Sequence, residues 1–461
     1  MTDTDRNHTQ YTNRAANRKA KKIRIGTQKL FLSRSDRSSL QFAPTTLHSF
    51  VVVGHDPTAV DSRASGKTSD SMKNPTHFYV VVPLGLEELC AQELEAIGIT
   101  GLRVQRGAVT FTGSMLMAQR ACLYCRTASR ILMRVGVSDY QDEEDIYNFA
   151  CRTKWENWFG PDATIRVDIN ARRSPLRSLD FTLLRIKDGI CDRFMHFMDR
   201  RPSVDTAHPE IRVFAFADDT HCTFYLDLCG EALFKRGWRT DKGEAPLKEN
   251  LASGLLMLAD WSADTPLVDP FCGSGTIAIE AALAACGVAP GLKRKFLFEN
   301  FTGFERDIWQ EELEEAKARV NMHTKVRIAA SDISTIVVGK AEQNARRAGL
   351  GALIDDGRLT FAQCDARQVT PPAPAGLIVA NPPYGEQSNP KSATVASMMK
   401  DVADNLKHNF SGWTARFLTS DRNLPRQMRL KESKKTPLFN GPLECRFFEF
   451  NLVSGSFRDK R

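Results

Sequence analysis

No run in this chain approaches the roughly 18 consecutive apolar residues of a membrane span, although 42% of its 461 residues are hydrophobic. The first charged residues have no apolar core behind them, so no secretory signal peptide is expected. Eleven cysteines are present, but they are scattered rather than paired in spacing. That usage fits reduced thiols in a cytoplasm and not a disulfide framework. Cys122-Leu123-Tyr124-Cys125 has CxxC spacing, yet no second pair accompanies it and its neighbours read as an apolar helix face. Core packing is therefore expected there rather than zinc. The nine histidines show no ligand spacing, and no metal is expected. Excess charge is also scarce outside one region. Residues 1–74 hold 13 Lys and Arg against 6 Asp, which leaves the rest near neutral within a total of +8. Net charge therefore cannot argue for nucleic-acid binding by the folded part. Local clusters must serve: Arg172, Arg173 and Arg177, or Lys235, Arg236 and Arg239, could engage phosphates.

Two segments carry most of the chemistry. Thr265 to Val268 reads as a strand entering Asp269-Pro270-Phe271-Cys272-Gly273-Ser274-Gly275-Thr276, and an alanine-rich helical stretch follows to Cys286, closed by Gly287. Gly273 and Gly275 can adopt positive φ and present no side chain to an approaching ligand. The helix start at Thr276 offers backbone N–H groups suited to a carboxylate. Two more β-rich runs end in acids, Val326–Asp332 and Leu359–Asp365. Asp332 could accept both ribose hydroxyls of a nucleoside and Asp365 an adenine amino group. Each aspartate alone would serve equally as a helix cap. Three in register after a glycine turn favour a nucleoside-bearing cofactor.

The second segment is Asn381-Pro382-Pro383-Tyr384, at the end of the buried strand Gly376–Ala380. An exocyclic amine conjugated to a base is a poor nucleophile because its lone pair is delocalised. If the Asn381 side-chain oxygen and the Pro382 carbonyl each accept one amine hydrogen, that lone pair can face an activated methyl group. Pro382 and Pro383 stiffen the backbone that holds these acceptors. Tyr384 could stack on a base withdrawn from its helix. Methyl transfer from S-adenosylmethionine to an amine is the expected chemistry.

Residues 78–457 resemble the THUMP-domain class I methyltransferases, most nearly the bacterial 23S ribosomal RNA guanine-N2 methyltransferases of the RlmL type. The resemblance rests on Asp269–Thr276, on Asn381 to Glu386, and on Arg126–Arg130, Lys235–Arg239, Ala245–Ala252 and Ser331–Ile333. It implies a Rossmann-like α/β methyltransferase domain behind an α+β ferredoxin-like and THUMP module that binds structured RNA. It also implies S-adenosylmethionine bound at Asp269, Cys272, Gly273, Gly275, Thr276, Asp332 and Asp365. The family's second methyltransferase domain is not expected here. The RNA would be 23S rRNA, naked or in an assembling large subunit, in the cytoplasm and away from membranes. Transfer-RNA guanine-N2 methylation is the nearest rival, followed by N6-adenine and protein-glutamine methylation.

Four regions are expected. Residues 1–74 read as a disordered basic tail, with Met72 as an alternative start. Residues 75–240 alternate strand and helix, with a helix over Leu84–Ile97, a strand over Leu102–Phe111, a helix over Met115–Leu132, a period-two strand from Thr164 and an amphipathic helix over Phe181–Met198. Residues 241–262 form a connecting segment, in which Pro246–Asn250 is expected to border the cofactor pocket. Residues 263–455 form the catalytic domain. It carries an insertion around Lys293–Lys325, and a helix is expected over Lys340–Leu350.

Overall fold

Phe78 and Val80 are buried on one face of an alternating run, which gives β1 (Thr76–Val81). The computed structural model describes residues 76–239, 247–383 and 392–453, so the basic tail and Met72 lie outside the described residues. After β1 come α1 (Glu87–Ala96), β2 (Arg103–Gln105), β3 (Ala108–Gly113), α2 (Met115–Tyr124) and β4 (Arg130–Asp139). The strands lie in the order β2-β3-β1-β4, with β1 antiparallel to both neighbours, a ferredoxin-like unit.

Two expectations are corrected here. The single strand over Leu102–Phe111 is a hairpin that reverses at Gly107, where φ is +78°. The helix from Met115 ends at Tyr124 rather than Leu132. The Glu93 carboxylate captures the N–H groups of Arg126 at 2.8 Å and Thr127 at 2.9 Å. Those donors are lost to the helix ladder, and Arg130 onward pairs as strand.

The chain then forms α3 (Glu143–Arg152), β5 (Thr164–Ala171), α4 (Leu179–Met198), β6 (Ser203–Val204), β7 (Ile211–Ala217) and β8 (His221–Asp227). The ten-residue β4 serves both units: it pairs with β1 at one end and antiparallel with β8 along its length. One eight-stranded sheet results, ordered β2-β3-β1-β4-β8-β7-β5-β6.

The second half holds α5 (Glu249–Leu258), β9 (Leu267–Asp269), α6 (Thr276–Ala285), α7 (Arg306–Ala318), β10 (Ile328–Asp332), α8 (Thr335–Ala348), α9 (Gly351–Asp355) and β11 (Leu359–Gln363). It continues with β12 (Leu377–Ala380), α10 (Ser392–Asn409), β13 (Thr414–Thr419), α11 (Leu424–Met428), β14 (Lys434–Asn440) and β15 (Leu443–Asn451). Helix α8 starts before the expected Lys340 because the Ser334 hydroxyl caps the Val337 N–H at 3.4 Å. The sheet order is β11-β10-β9-β12-β13-β15-β14, parallel from β11 to β13 and antiparallel beyond. Strand order reverses between β9 and β12, which makes their carboxyl ends the topological switch point where open α/β sheets bind ligands.

The two halves share packing. Gly254 on α5 lies so close to Leu86 that an added Cβ would sit 2.6 Å from its Cδ1. The Asn250 side chain donates to the Thr127 carbonyl at 3.2 Å and the Ser129 hydroxyl at 3.0 Å. Asn250 therefore ties α5 to the ferredoxin-like unit. Cys122 and Cys125 are both buried, with Cys229 and Cys90 respectively as their sulfur neighbours. No described helix is long and apolar enough to cross a membrane.

Candidate active site

Three parallel strands end in aspartate or lead directly into one, and the acids share a local geometry. Asp269, Asp332 and Asp365 each accept the N–H of the residue two places on, from Phe271 at 3.2 Å, Ser334 at 3.0 Å and Arg367 at 2.9 Å. Each carboxylate is thus turned across the carboxyl edge of β9, β10 or β11. The second oxygen of Asp332 accepts the Gly273 N–H at 3.1 Å, which binds the glycine turn to the neighbouring strand. The Cys272 N–H adds a bond to the Ser331 carbonyl at 2.9 Å.

The two glycines have different duties. Gly273 has φ +50°, and a Cβ there would meet nothing within 4 Å, so its backbone faces open space. Gly275 has φ +86°, and a Cβ would press on Ala341 at 3.1 Å and on Ile279 and Phe361 at 3.2 Å. Its role is close packing of the α6 start. Cys272 is buried beneath the turn, and burial pushes its thiol far above the ordinary range, so it is no nucleophile. Gly275 precedes α6 without any side-chain cap, which leaves helix-start N–H groups for a ligand anion.

Burial pushes the Asp269 carboxyl up to about 8, and the nearby Asp332 charge adds to the effect. Asp365 is held below the usual carboxylate range by Arg367, whose Nε lies 3.0 Å from Oδ1 and 3.1 Å from Oδ2. Arg367 is exposed, so this fork stands at the rim of the edge.

Arg239 braces the turn from below. It donates to the Ser274 hydroxyl, to the Thr276 hydroxyl at 2.7 Å and to Glu249 at 3.0 Å. Glu249 is only 5% exposed, and burial raises its pKa despite this partner. The Asn344 side chain adds a bond to the Ser274 carbonyl at 3.0 Å. Neither Arg239 nor Arg236 is a phosphate contact, because both guanidinium groups are buried against carboxylates, Arg236 against Glu280. Arg172, Arg173 and Arg177 are exposed. Of Lys248–Asn250, Glu249 reaches the turn through Arg239. Ala245 and Pro246 lie outside the described residues.

The register of β9 and β12 pairs Leu267 with Leu377 and Val268 with Ile378. Carried forward, it sets Asn381 level with Phe271, on the same sheet edge as the glycine turn. Asn381 is half-buried, Pro382 buried and Pro383 exposed, and Tyr384 lies outside the described residues. On the other flank of β12, a cavity of about 430 Å³ abuts Pro382 and Pro383. Thr419 at the end of β13, Asp421 and Asn423 in the segment after it and Gln427 in α11 also line it. Asp421 is fixed there, with Oδ1 accepting the Asn423 N–H at 2.7 Å and Oδ2 the Gln427 amide at 2.6 Å. The Asn-Pro-Pro segment thus separates a glycine turn from a polar cavity.

Protein-family models match along the chain: an RlmL ferredoxin-like domain over residues 77–132, a THUMP domain over 140–227 and an RMKL-like methyltransferase domain over 236–448. The three domains of the THUMP-domain methyltransferases are thus matched in order along the chain. It is 38% identical over 387 residues to the ribosomal RNA large subunit methyltransferase K/L of Shewanella baltica strain OS185, covering 83% of this chain and 54% of that protein. The Shewanella amazonensis protein of the same name is 36% identical over 391 residues, with the same coverage. The chain thus spans about half the length of these relatives. Among solved structures, SMU.472, classed as a methyltransferase and crystallised with S-adenosylhomocysteine, is 27% identical with a TM-score of 0.76, covering 84% of this chain and all of that one. A Listeria monocytogenes protein described as a predicted N6-adenine-specific DNA methylase is 27% identical with a TM-score of 0.74, covering 82% of this chain and 97% of that one. The THUMP-domain methyltransferase fold therefore holds here. Open backbone at Gly273, bare helix-start N–H groups and acids at this edge suit a ligand carrying carboxylate, ribose and positive charge.

Proposed function

We propose that the chain methylates the exocyclic N2 amine of a guanine in 23S ribosomal RNA. The observation that carries this reading is the Asn381-Pro382-Pro383 segment between the glycine turn and a cavity walled by a fixed carboxylate. Such a cavity falls within the size range of small-ligand sites, roughly 300–1,000 Å³. It can receive a base extruded from its helix, with Tyr384 as the stacking partner. The Watson–Crick edge of guanine presents an N1–H donor beside the N2 amine, and the Asp421 carboxylate can accept that N1–H. Adenine presents a bare N1 there, which a carboxylate repels.

S-adenosylmethionine supplies an electrophilic methyl on a positively charged sulfur. The Asn381 oxygen and the Pro382 carbonyl each accept one N2 hydrogen and turn the nitrogen lone pair toward that methyl. As the N–C bond forms, the S–C bond breaks and S-adenosylhomocysteine leaves. The extra proton on nitrogen then passes to water. No strong base is needed, so the rate gain comes from placement. Asp332 would hold the ribose hydroxyls. Asp365 would meet the adenine amino group through a lone pair that Arg367 leaves open, or after Arg367 swings away. The THUMP module and the exposed Arg172, Arg173 and Arg177 would hold the RNA. The large-subunit ribosomal RNA names of the relatives favour 23S rRNA as the substrate.

The test is to incubate the protein with labelled S-adenosylmethionine and rRNA, tRNA, DNA or protein, then digest and identify the product. Label is expected in N2-methylguanosine from 23S rRNA. Label in N6-methyladenine or in glutamine would overturn the assignment, and label in tRNA alone would move it to the transfer-RNA reading. Asp421→Asn should lower kcat/KM for rRNA by roughly tenfold to a hundredfold while cofactor affinity holds.

A further inference from the structure

The eight-stranded sheet buries one face and leaves much of the other open. Phe78, Ile131, Val213 and Phe224 alternate into the core shared with the helices, where Phe149 of α3 stacks on Phe224 at 4.3 Å. The methyltransferase half meets the ferredoxin-like unit on that helix side, through Leu86 against Gly254 and through Arg120 Nε, which donates to Glu312 at 2.9 Å. The alternate strand residues point the other way. Register sets Arg134, Tyr225 and Phe214 in one row across β4, β8 and β7, and Val137, Thr223 and Phe216 in the next. Tyr79 and Arg103 stand on the same face, both opposite Thr110 of β3.

A sheet face turned to water ordinarily carries polar residues, but this one offers rings. The Tyr79 and Tyr225 rings meet across β4 with centroids 6.0 Å apart. Phe216 is 39% exposed and Val137 51%. Arg103 and Arg134 are exposed, and neither has a carboxylate partner among the described residues. Partial burial, and then the charges of Arg134 and Arg103, push the His77 imidazole below its ordinary range, so both guanidinium groups act on one spot. Towards Asp227 the face is closed. Arg212 and Arg130 lie over the Phe214 ring, 4.5 and 5.4 Å from its centroid, and Asp168 and Asp227 match their charges. At the far end Asp139 stands 3.1 Å from His221. The exposed Arg172 leaves β5 beside Phe216, its N–H donating to the Ala217 carbonyl at 2.9 Å.

We propose that this open sheet face binds a single-stranded segment of RNA, with bases stacked on Tyr79, Tyr225 and Phe216 and phosphates met by Arg134 and Arg103. Every base has a π-face that such rings can hold, and exposed guanidinium groups suit phosphate oxygens. From β1 to β7 the face crosses three strand spacings, about 14 Å, which suits the two or three bases that small RNA-binding sheets stack. A duplex keeps its base faces covered, so the segment must be unpaired. Since the methyltransferase half packs on the helix side, this segment is distinct from the extruded guanine. The inference rests on RNA as the substrate, and not on which nucleotide is methylated.

Photocross-linking of the full chain to a short oligouridine carrying 5-iodouridine, followed by peptide mapping, tests the proposal. Cross-links are expected on Tyr79, Tyr225 or Phe216, and cross-links confined to other peptides would overturn it. Fluorescence anisotropy with the same oligomer reads the affinity. Tyr225→Leu keeps apolar cover over the sheet but removes the ring, and should weaken binding by about fivefold or more. Arg134→Gln changes an exposed side chain, so the fold should hold. It should weaken binding by about threefold and reduce the salt slope of the affinity by about 0.7. A merely structural role would leave that slope unchanged. Wild-type affinity in both variants would overturn the inference and leave the exposed Phe216 and Val137 to a protein partner. A wild type that methylates rRNA without binding the oligomer would overturn it too, with the RNA reading intact. A wild type that neither binds nor methylates RNA would defeat both.

Discussion

Asp269→Asn should erase a pH dependence of stability that the wild type carries. Asp269 is 1% exposed, and burial holds its carboxyl at about 8. In the unfolded chain an aspartate titrates near 3.9. A pKa raised by folding means that the folded chain binds more protons in this window. The group's full contribution to stability is therefore present below the unfolded pKa and is lost as pH rises through the folded one. Each pH unit inside the window is worth about 1.4 kcal/mol, so moving from about pH 5.5 to about pH 7.5 should remove 2–3 kcal/mol through this group alone. Urea denaturation at the two pH values reads the effect, with the buried Trp261, Trp309 and Trp413 as reporters in the same half of the chain. Glu249, whose carboxyl is also raised by burial, titrates in both proteins and cancels in the comparison. The wild type should lose 2–3 kcal/mol more than Asp269→Asn. Equal losses would refute burial of this carboxyl as the source.

Two further outcomes follow from the turn. Asp332→Ala removes the acceptor of the Gly273 N–H and should weaken S-adenosylmethionine binding by about tenfold or more, measured by calorimetry, before it lowers turnover of the saturated enzyme. Arg239→Gln leaves Glu249 buried without its ion partner and should cost about 3 kcal/mol in urea denaturation, with cofactor affinity falling as Ser274 and Thr276 lose their brace.

The strand, turn and helix at Asp269–Ala285 were legible because their signals are local. Asp269, two glycines and an alanine-rich run specify strand, turn and helix within twenty residues, and Asn381-Pro382 marks the end of a fully apolar strand. Other features depend on contacts far along the chain. Arg236 and Arg239 read as a basic cluster, since a guanidinium looks the same in sequence whether it faces solvent or a carboxylate. The partner of Arg236 is Glu280, supplied by α6. The overlong helix from Met115 failed for the same reason, since the carboxylate that captures Arg126 and Thr127 sits on α1. Asp421 gave no signal, because its place beside Pro382 exists only once β13 pairs with β12.

Single-turnover methylation by Asn381→Ala, set beside its cofactor affinity, tests the central claim most directly. With the amide gone, nothing but the Pro382 carbonyl would orient the target amine. The transfer rate should then fall by about a hundredfold or more, while S-adenosylmethionine binds nearly as before. A variant that transfers the methyl group at the wild-type rate would contradict the account.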